Sequence, residues 1–506
     1  MNVPRPLLDP DGIAQLTEAL SLATAAGGEN IMQLLDSPAS SPSDLAAVIA
    51  DSESRLATIT EVFLLGKTLP EAQVAAALSP LPLTTALEAG LVERHENGLR
   101  AAVSLTPYET FDGTQGWVIA DRSSAMRPGH RLPRDYVLGV NNTATTLTRA
   151  TIRLPVERAL DLGTGAGVQA LELSRHATAV TATDISARAL RFAATTAALN
   201  GLDWELLEGD MLAPVSGRRF DLVVSNLPFV VSPGAIHFTY RDSGRAGDSI
   251  IPELISAAPS VLTDGGHMQF LANWTHQAGI PWQERLAQWL EGTGLDAWIL
   301  QREVLDPIAY ISHWLRDADQ EHDAEYARQW QDWFATHQVE AIGMGIVTLR
   351  NRGAADPIIR IEEMPQRYSV PLGSEIPAWF ERADWLRTRP AETLLQERYI
   401  LADALTLYTE SVPQAGDWHT QRHFLSLNDG LRWQHEVQPI VPALLAGCDG
   451  TATMGELLTQ LADQHELDLD VLRQVAITVL PLLIEHALVL PVALAGSSQK
   501  TDSGQG

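Results

Sequence analysis

Two short segments carry residue types and spacings suited to chemistry. The first is Asp161-Leu162-Gly163-Thr164-Gly165-Ala166-Gly167, which follows an apolar run and leads into a helical one. Glycines at such a point permit a tight turn and a close backbone approach to a ligand, and a helix beginning there offers unpaired N–H groups. The second is Ser225-Asn226-Leu227-Pro228-Phe229, at the end of the run Asp221-Leu222-Val223-Val224. Between them, Asp184 and Asp210 each stand at the end of a further strand-like run. Carboxylates at the C-terminal ends of adjacent parallel strands converge on one crevice, where open α/β sheets bind ligands. Plain alternatives stand beside these readings: Asp184 can cap a helix beginning at Ala187, and Asn-x-Pro is also an ordinary turn. The glycine spacing departs from the dinucleotide fingerprint, which needs Gly or Ala where Val168 stands. His237 and His267 have no metal-ligand spacing, so no metal is assigned, and the single Cys448 leaves no partner for an internal disulfide.

The elements that must position these residues alternate. Strands are predicted at 156–162, 179–183, 204–207, 220–225, 267–272 and 297–304, with helices at 168–176, 187–199, 249–262 and 282–290. That alternation argues for a parallel sheet built of right-handed crossovers. Residues 309–337 read as a charged helical insertion, holding Trp314, Trp330 and Trp333, ahead of a last edge strand from Ile342 to Arg350. Upstream, the first hundred residues look helical, with an interruption at Gly27-Gly28. Leu91 to Arg94 and Leu99 to Leu105, joined at Glu96-Asn97-Gly98, then suit a hairpin. A further strand is predicted from Trp117 to Ala120. Downstream, Pro357, Pro365, Pro371 and Pro377 mark a linker, and helices follow from Leu457 to His465 and from Leu469 to Glu485.

The sequence D-L-G-T-G-A-G resembles the first motif of class I S-adenosylmethionine-dependent methyltransferases. Asn226-Leu227-Pro228-Phe229 resembles the Asn-Pro-Pro-Phe/Tyr motif of methyltransferases acting on exocyclic base amines and glutamine amides. Over roughly residues 117–300 the chain is similar to the small-domain group of ribosomal RNA guanine-N2, transfer RNA adenine-N6 and release-factor glutamine-N5 enzymes. The resemblance implies a Rossmann-like, seven-stranded α/β domain over residues 111–352. It would be flanked by a helical or winged-helix-like domain (1–110), a mainly helical or winged accessory domain (353–495) and a disordered tail (496–506). It implies S-adenosylmethionine as cofactor, held by Asp161, Gly163, Thr164, Gly165, Gly167, Asp184, Ile185, Asp210, Met211 and Asn226. In the family the glycine loop wraps the amino-acid half, the acid at 184 meets the ribose hydroxyls and the acid at 210 the adenine amine.

Asn226, Leu227, Pro228 and Phe229 are the catalytic candidates that the resemblance implies. A planar amino nitrogen is a poor nucleophile because its lone pair is delocalised. The Asn226 oxygen and a nearby backbone carbonyl can hold its hydrogens and favour charge developing on nitrogen. Phe229 can stack on the flat acceptor, and alignment supplies the rest. Leu227 is the departure, standing where the family places its first proline. It regains a backbone N–H and loses the fixed φ. Pro228 still biases it to extended geometry, so its carbonyl can still face the acceptor.

A length of 506 residues exceeds one hydrophobic core, and no apolar run is long enough for a membrane helix, so a cytoplasmic protein is expected. The net charge of −28 is uneven: −9 over residues 1–110, −2 over 111–275 and −17 over 276–506. Seven arginines between Arg122 and Arg158 can form a basic face or a solvated surface. Arg241 and Arg245 can pair with a phosphate or carboxylate, and Asp248 can cap the next helix. The expected function is N-methylation of a base amine in ribosomal or transfer RNA, which makes a macromolecular substrate the partner. Two alternatives stand beside it: glutamine-N5 methylation of a translation-related protein, and a catalytically silent interaction protein of the same fold.

Overall fold

A computed structural model describes residues 4–25, 54–123, 126, 132–235, 238–242, 244–317, 324–353 and 355–495. Gly27-Gly28, His237 and the tail 496–506 lie outside the described residues. After the helices Arg55–Phe63, Glu71–Leu78 and Leu83–Glu88, strand Val92–His95 (β1) pairs antiparallel with Gly98–Ala101 (β2). Gly98 is required less by the turn than by Leu69, whose carbonyl oxygen would lie 2.3 Å from an added Cβ. The expected strand Leu99 to Leu105 breaks at Ala102. Its second half, Val103–Glu109 (β3), pairs instead with Gln115–Asp121 (β4). That second hairpin docks on the helix Ala187–Leu199: Asn200 accepts from Trp117 N (3.0 Å) and donates to Trp117 O (2.8 Å).

The central sheet has eight strands. They are Val156–Leu162 (β5), Ala177–Asp184 (β6), Glu205–Glu208 (β7), Phe220–Ser225 (β8), Leu262–Gln277 (β9), Leu295–Leu305 (β10), Val339–Asn351 (β11) and Ile359–Glu363 (β12). Their order is β12-β10-β11-β9-β8-β5-β6-β7. Strands β7, β6, β5, β8 and β9 run parallel, whereas β11 is antiparallel to both β9 and β10. The order reverses between β5 and β8, which opens a crevice at their carboxyl ends.

The sheet departs from expectation in two places. The strand near Ile342 is not at the edge; it lies between β9 and β10, buried along most of its length. The sheet also gains an eighth strand from the proline-rich stretch read as a linker. Buried Asp296 holds that stretch: it accepts from Ile358 N (2.8 Å) and pairs with Arg350 (2.6 Å), bringing β12 parallel to β10. Pro357 stands just before this edge strand, where a missing N–H costs no ladder bond.

The main core packs Leu160, Val223 and Phe270 of the sheet against Leu254, Ile255 and Leu286 from the covering helices. A second core forms where the helices Pro307–Asp317 and Ala324–Thr336, inserted between β10 and β11, gather Tyr310, Trp330 and Phe334. Among the described residues, those up to 149 and from 154 to 364 form one compact unit, and those from 150 to 153 and from 365 to 495 a second. Beside the expected helices Met454–His465 and Leu469–Glu485, the second unit contains the helix Leu372–Arg387 and two three-stranded sheets. Among the described residues no helix is long and apolar enough to cross a membrane.

Candidate active site

At the end of β5 the glycine loop takes left-handed backbone at Gly163 (φ 76°), Gly165 (φ 56°) and Gly167 (φ 89°). Gly163 N and Thr164 N both donate to Thr183 O, at 2.9 and 2.8 Å, which fixes the loop against β6. Asp161 lies fully buried beneath it. Its Oδ2 accepts from Thr164 Oγ1 (2.6 Å) and Ala170 N (3.0 Å), tying the loop to the helix Val168–Leu173. Burial pushes the Asp161 carboxyl up to about 7, and the Asp184 charge adds to the rise. Gly167 leaves room for the Trp204 ring, 2.6 Å from where a Cβ would stand. Asp161 and Gly167 thus shape the loop from below, whereas Gly163, Thr164 and Gly165 line a cavity of about 810 Å³.

Asp184 ends β6 on the same cavity. Its Oδ2 accepts from Gly165 N (2.9 Å) and its Oδ1 from Ser186 N (2.8 Å). The following helix is capped by Ser186, whose hydroxyl accepts from Ala189 N, so capping is not the task of Asp184. Burial raises the Asp184 pKa. Ile185, 56% exposed despite being apolar, Asp210 and Met211 complete this side of the cavity. The Asp210 carboxylate stands 3.9 Å from Arg245.

The opposite wall begins where β8 ends. Ser225 Oγ donates to Leu162 O (2.6 Å), holding the ends of β8 and β5 together. The next residue, Asn226, has a buried Oδ1 with no hydrogen-bond partner, in the lining of the cavity. A buried acceptor left unmatched costs about 1–3 kcal/mol, so a donor from a bound molecule is the natural complement. Leu227 leans over the glycine loop, its Cδ2 3.0 Å from a Cβ placed on Gly163. Pro228 and Phe229 continue the lining, with Phe229 edge-to-face on Trp314 (centroids 6.1 Å).

The charged loop reads differently in space than in sequence. Arg241 is buried, paired with Asp242 (3.0 Å) and donating to Trp314 O (3.0 Å), so it is a structural cation. Asp248 does not cap the helix; it forms a two-pronged pair with Arg285 (2.7 and 2.7 Å) and accepts from Thr275 N (2.8 Å). Arg122, counted in the basic segment, is buried against Glu93 (3.2 Å).

Two parts of the cavity escaped sequence reasoning. One is the strap from Arg134 to Ala144, held where Val137 N donates to Asp121 (2.9 Å) and Arg188 pairs with that same carboxylate (2.6 Å). The other is the pair His313 and Trp314 on the inserted helix. A cluster of tryptophans in a charged helix was the only signal for the second, and the first had none.

A doubly wound sheet whose switch point carries a glycine loop, two strand-end acids and an unmatched amide oxygen has the class I methyltransferase fold. Residues 142–288 match the methyltransferase small domain family, and two further families, each described as a domain of unknown function, match residues 42–102 and 377–491. The chain is similar to ribosomal RNA small subunit methyltransferase C of Alcanivorax borkumensis, 34% identical over 116 residues, covering 23% of this chain and 32% of that protein. It is also similar to the release factor glutamine methyltransferase of Xylella fastidiosa, 34% identical over 164 residues, 28% of this chain and 59% of that one. The corresponding Deinococcus radiodurans protein is 38% identical over 127 residues, 22% and 45% of the two chains. The chain therefore spans from about a third to about three fifths of these relatives. Residues 142–288 are thus similar to methyltransferase small domains, and the glycine cradle fits S-adenosylmethionine as the cofactor.

Proposed function

We propose that the chain is an S-adenosylmethionine-dependent N-methyltransferase acting in the cytoplasm on a planar amino group, a base amine of ribosomal or transfer RNA. The observation that carries this reading is the buried, unpartnered Asn226 Oδ1 in the same cavity as the glycine loop and Asp184. S-adenosylmethionine, when bound, supplies an electrophilic methyl group. The loop residues Gly163, Thr164 and Gly165 would hold its amino-acid half, Asp184 would accept from the ribose hydroxyls, and Asp210 would take the adenine amine, with Ile185 and Met211 lining the same part of the cavity. Asn226 accepts a hydrogen of the acceptor NH₂ group, and the Leu227 carbonyl can take the other. These two acceptors would favour the charge that develops on the nitrogen as its bond to the methyl forms and the sulfur–methyl bond breaks, with one N–H proton then lost to solvent. Pro228 holds the turn and Phe229 offers a stacking face.

The accessory regions 1–110 and 353–495 present the folded substrate. Glutamine-N5 methylation of a protein is a second reading, supported by the similarity to release factor glutamine methyltransferases. The deciding experiment is transfer of labelled methyl to a fractionated cell extract, comparing the protein with Asn226→Ala. Label in RNA, lowered about 100-fold by the substitution, is expected. Label in a release factor would favour the second reading. A protein that does not bind the cofactor in calorimetry would be the silent interaction protein.

A further inference from the structure

The inserted helices are wired to the segment that follows Asn226. Tyr310 is fully buried, and its hydroxyl accepts from Val231 N (2.9 Å) and from Asn273 Nδ2 (2.8 Å). Arg241, on the acceptor side of the cavity, donates to Trp314 O (3.0 Å). Gly247 yields its side-chain space to Trp333, whose ring would lie 2.8 Å from a Cβ there. These anchors set Trp314 against Phe229 with their planes 72° apart, and both residues line the cavity together with Asn226.

We infer that Trp314 is a specificity-determining residue. With Phe229 it forms an aromatic corner for a flat heteroaromatic ring whose amino group reaches Asn226, and Tyr310 is the positioning residue that holds the corner. The inference rests on the amino-methyltransferase reading and narrows its acceptor to a nucleobase. Two planes near a right angle take a flat ring face-on against one and edge-on against the other, the two favoured aromatic geometries. Stacking of a base on one aromatic side chain is worth roughly tenfold to a hundredfold in affinity. A glutamine amide, small and on a flexible stem, gains little from such a corner.

The test uses the full chain saturated with S-adenosylhomocysteine and titrated with guanosine, adenosine or N-acetylglutamine amide, followed by ligand-observed NMR. At least one nucleoside binds and the glutamine amide does not. Trp314→Ala weakens nucleoside binding at least about tenfold, and Trp314→Phe keeps it within about threefold. Tyr310→Phe lowers nucleoside affinity while cofactor affinity, measured by calorimetry, stays constant in all variants. Unchanged nucleoside affinity in Trp314→Ala, absence of nucleoside binding by the unaltered protein, or preference for the amide overturns the inference alone. Absence of cofactor binding by the unaltered protein overturns the amino-methyltransferase reading along with it.

Discussion

Leu227 and Asp161 carry the sharpest residue-scale predictions. Leu227 occupies the motif's first proline position, and its side chain rests on Gly163 and packs against the main core. Replacing it with proline restores the motif but gives up part of that packing. Leu227→Pro should cost about 1–2 kcal/mol in thermal unfolding and leave labelled methyl transfer intact or raised. A collapse of transfer at intact folding would show that the pocket has been rebuilt around leucine. Asp161 is raised by burial from its ordinary value to about 7. The folded protein thus binds this proton more tightly than the unfolded chain. The stabilisation is complete below pH 4 and is lost as pH rises toward about 7, where the buried carboxyl must ionise. Asp161→Asn, which still accepts from Thr164 and Ala170, should flatten the fall in melting temperature between about pH 4 and 7; an unchanged slope would refute the assignment. The markers Gly163, Asp184, Asp210 and Asn226 were legible because each is fixed to the end of a strand that periodicity could locate. Trp314 was not legible as a cavity-lining residue, because nothing local in a helix far along the chain says which distant wall it joins.

Among the elements, the strap from Arg134 to Ala144 is held in part by the pair of Arg188 with Asp121. Arg188 comes from the helix just beyond Asp184, and it meets buried Asp121, which also holds Val137 N. Arg188→Ala strands that carboxylate and loosens the strap over the cofactor side. Arg188 is itself about a third exposed (38%), so the cost is discounted for solvent to about 1–2 kcal/mol. Cofactor affinity should fall about tenfold by calorimetry, with Arg188→Lys recovering part of it, since lysine restores the charge but not the two-pronged geometry. Equal affinity in all three proteins would remove the strap from the cofactor site. Strands β5, β6, β8 and β9 of the parallel half were readable from their buried apolar runs. The place of β11 was not, because a run buried on both faces fits the middle of a sheet at any position; its pairing with both β9 and β10 is decided by tertiary contact. β12 spans only five residues after a proline, and its alternation Ile359-Arg360-Ile361-Glu362 is too short to announce a strand.

At the scale of the whole molecule, the two compact units set where the chain can be cut. A chain ending after residue 364 keeps β12 on β10 and should bind S-adenosylmethionine with near-native affinity. One ending after residue 352 bares the edge of β10, where unpaired N–H and C=O groups invite aggregation. Comparing the two by size-exclusion chromatography and calorimetry checks this, and equal solubility would count against β12 as a needed edge. The acidic flanks and nearly neutral centre follow from composition alone. By itself the sequence determined the alternating α/β pattern, the glycine loop, the strand-end acids and the Asn226 motif, because these are local signals read within a few residues. Only the tertiary structure decided that Asp248 and Arg241 are buried structural charges, that β11 lies inside the sheet and that Trp314 shares a wall with Phe229. Those outcomes depend on which distant surfaces exclude water together, and no short window of sequence records that.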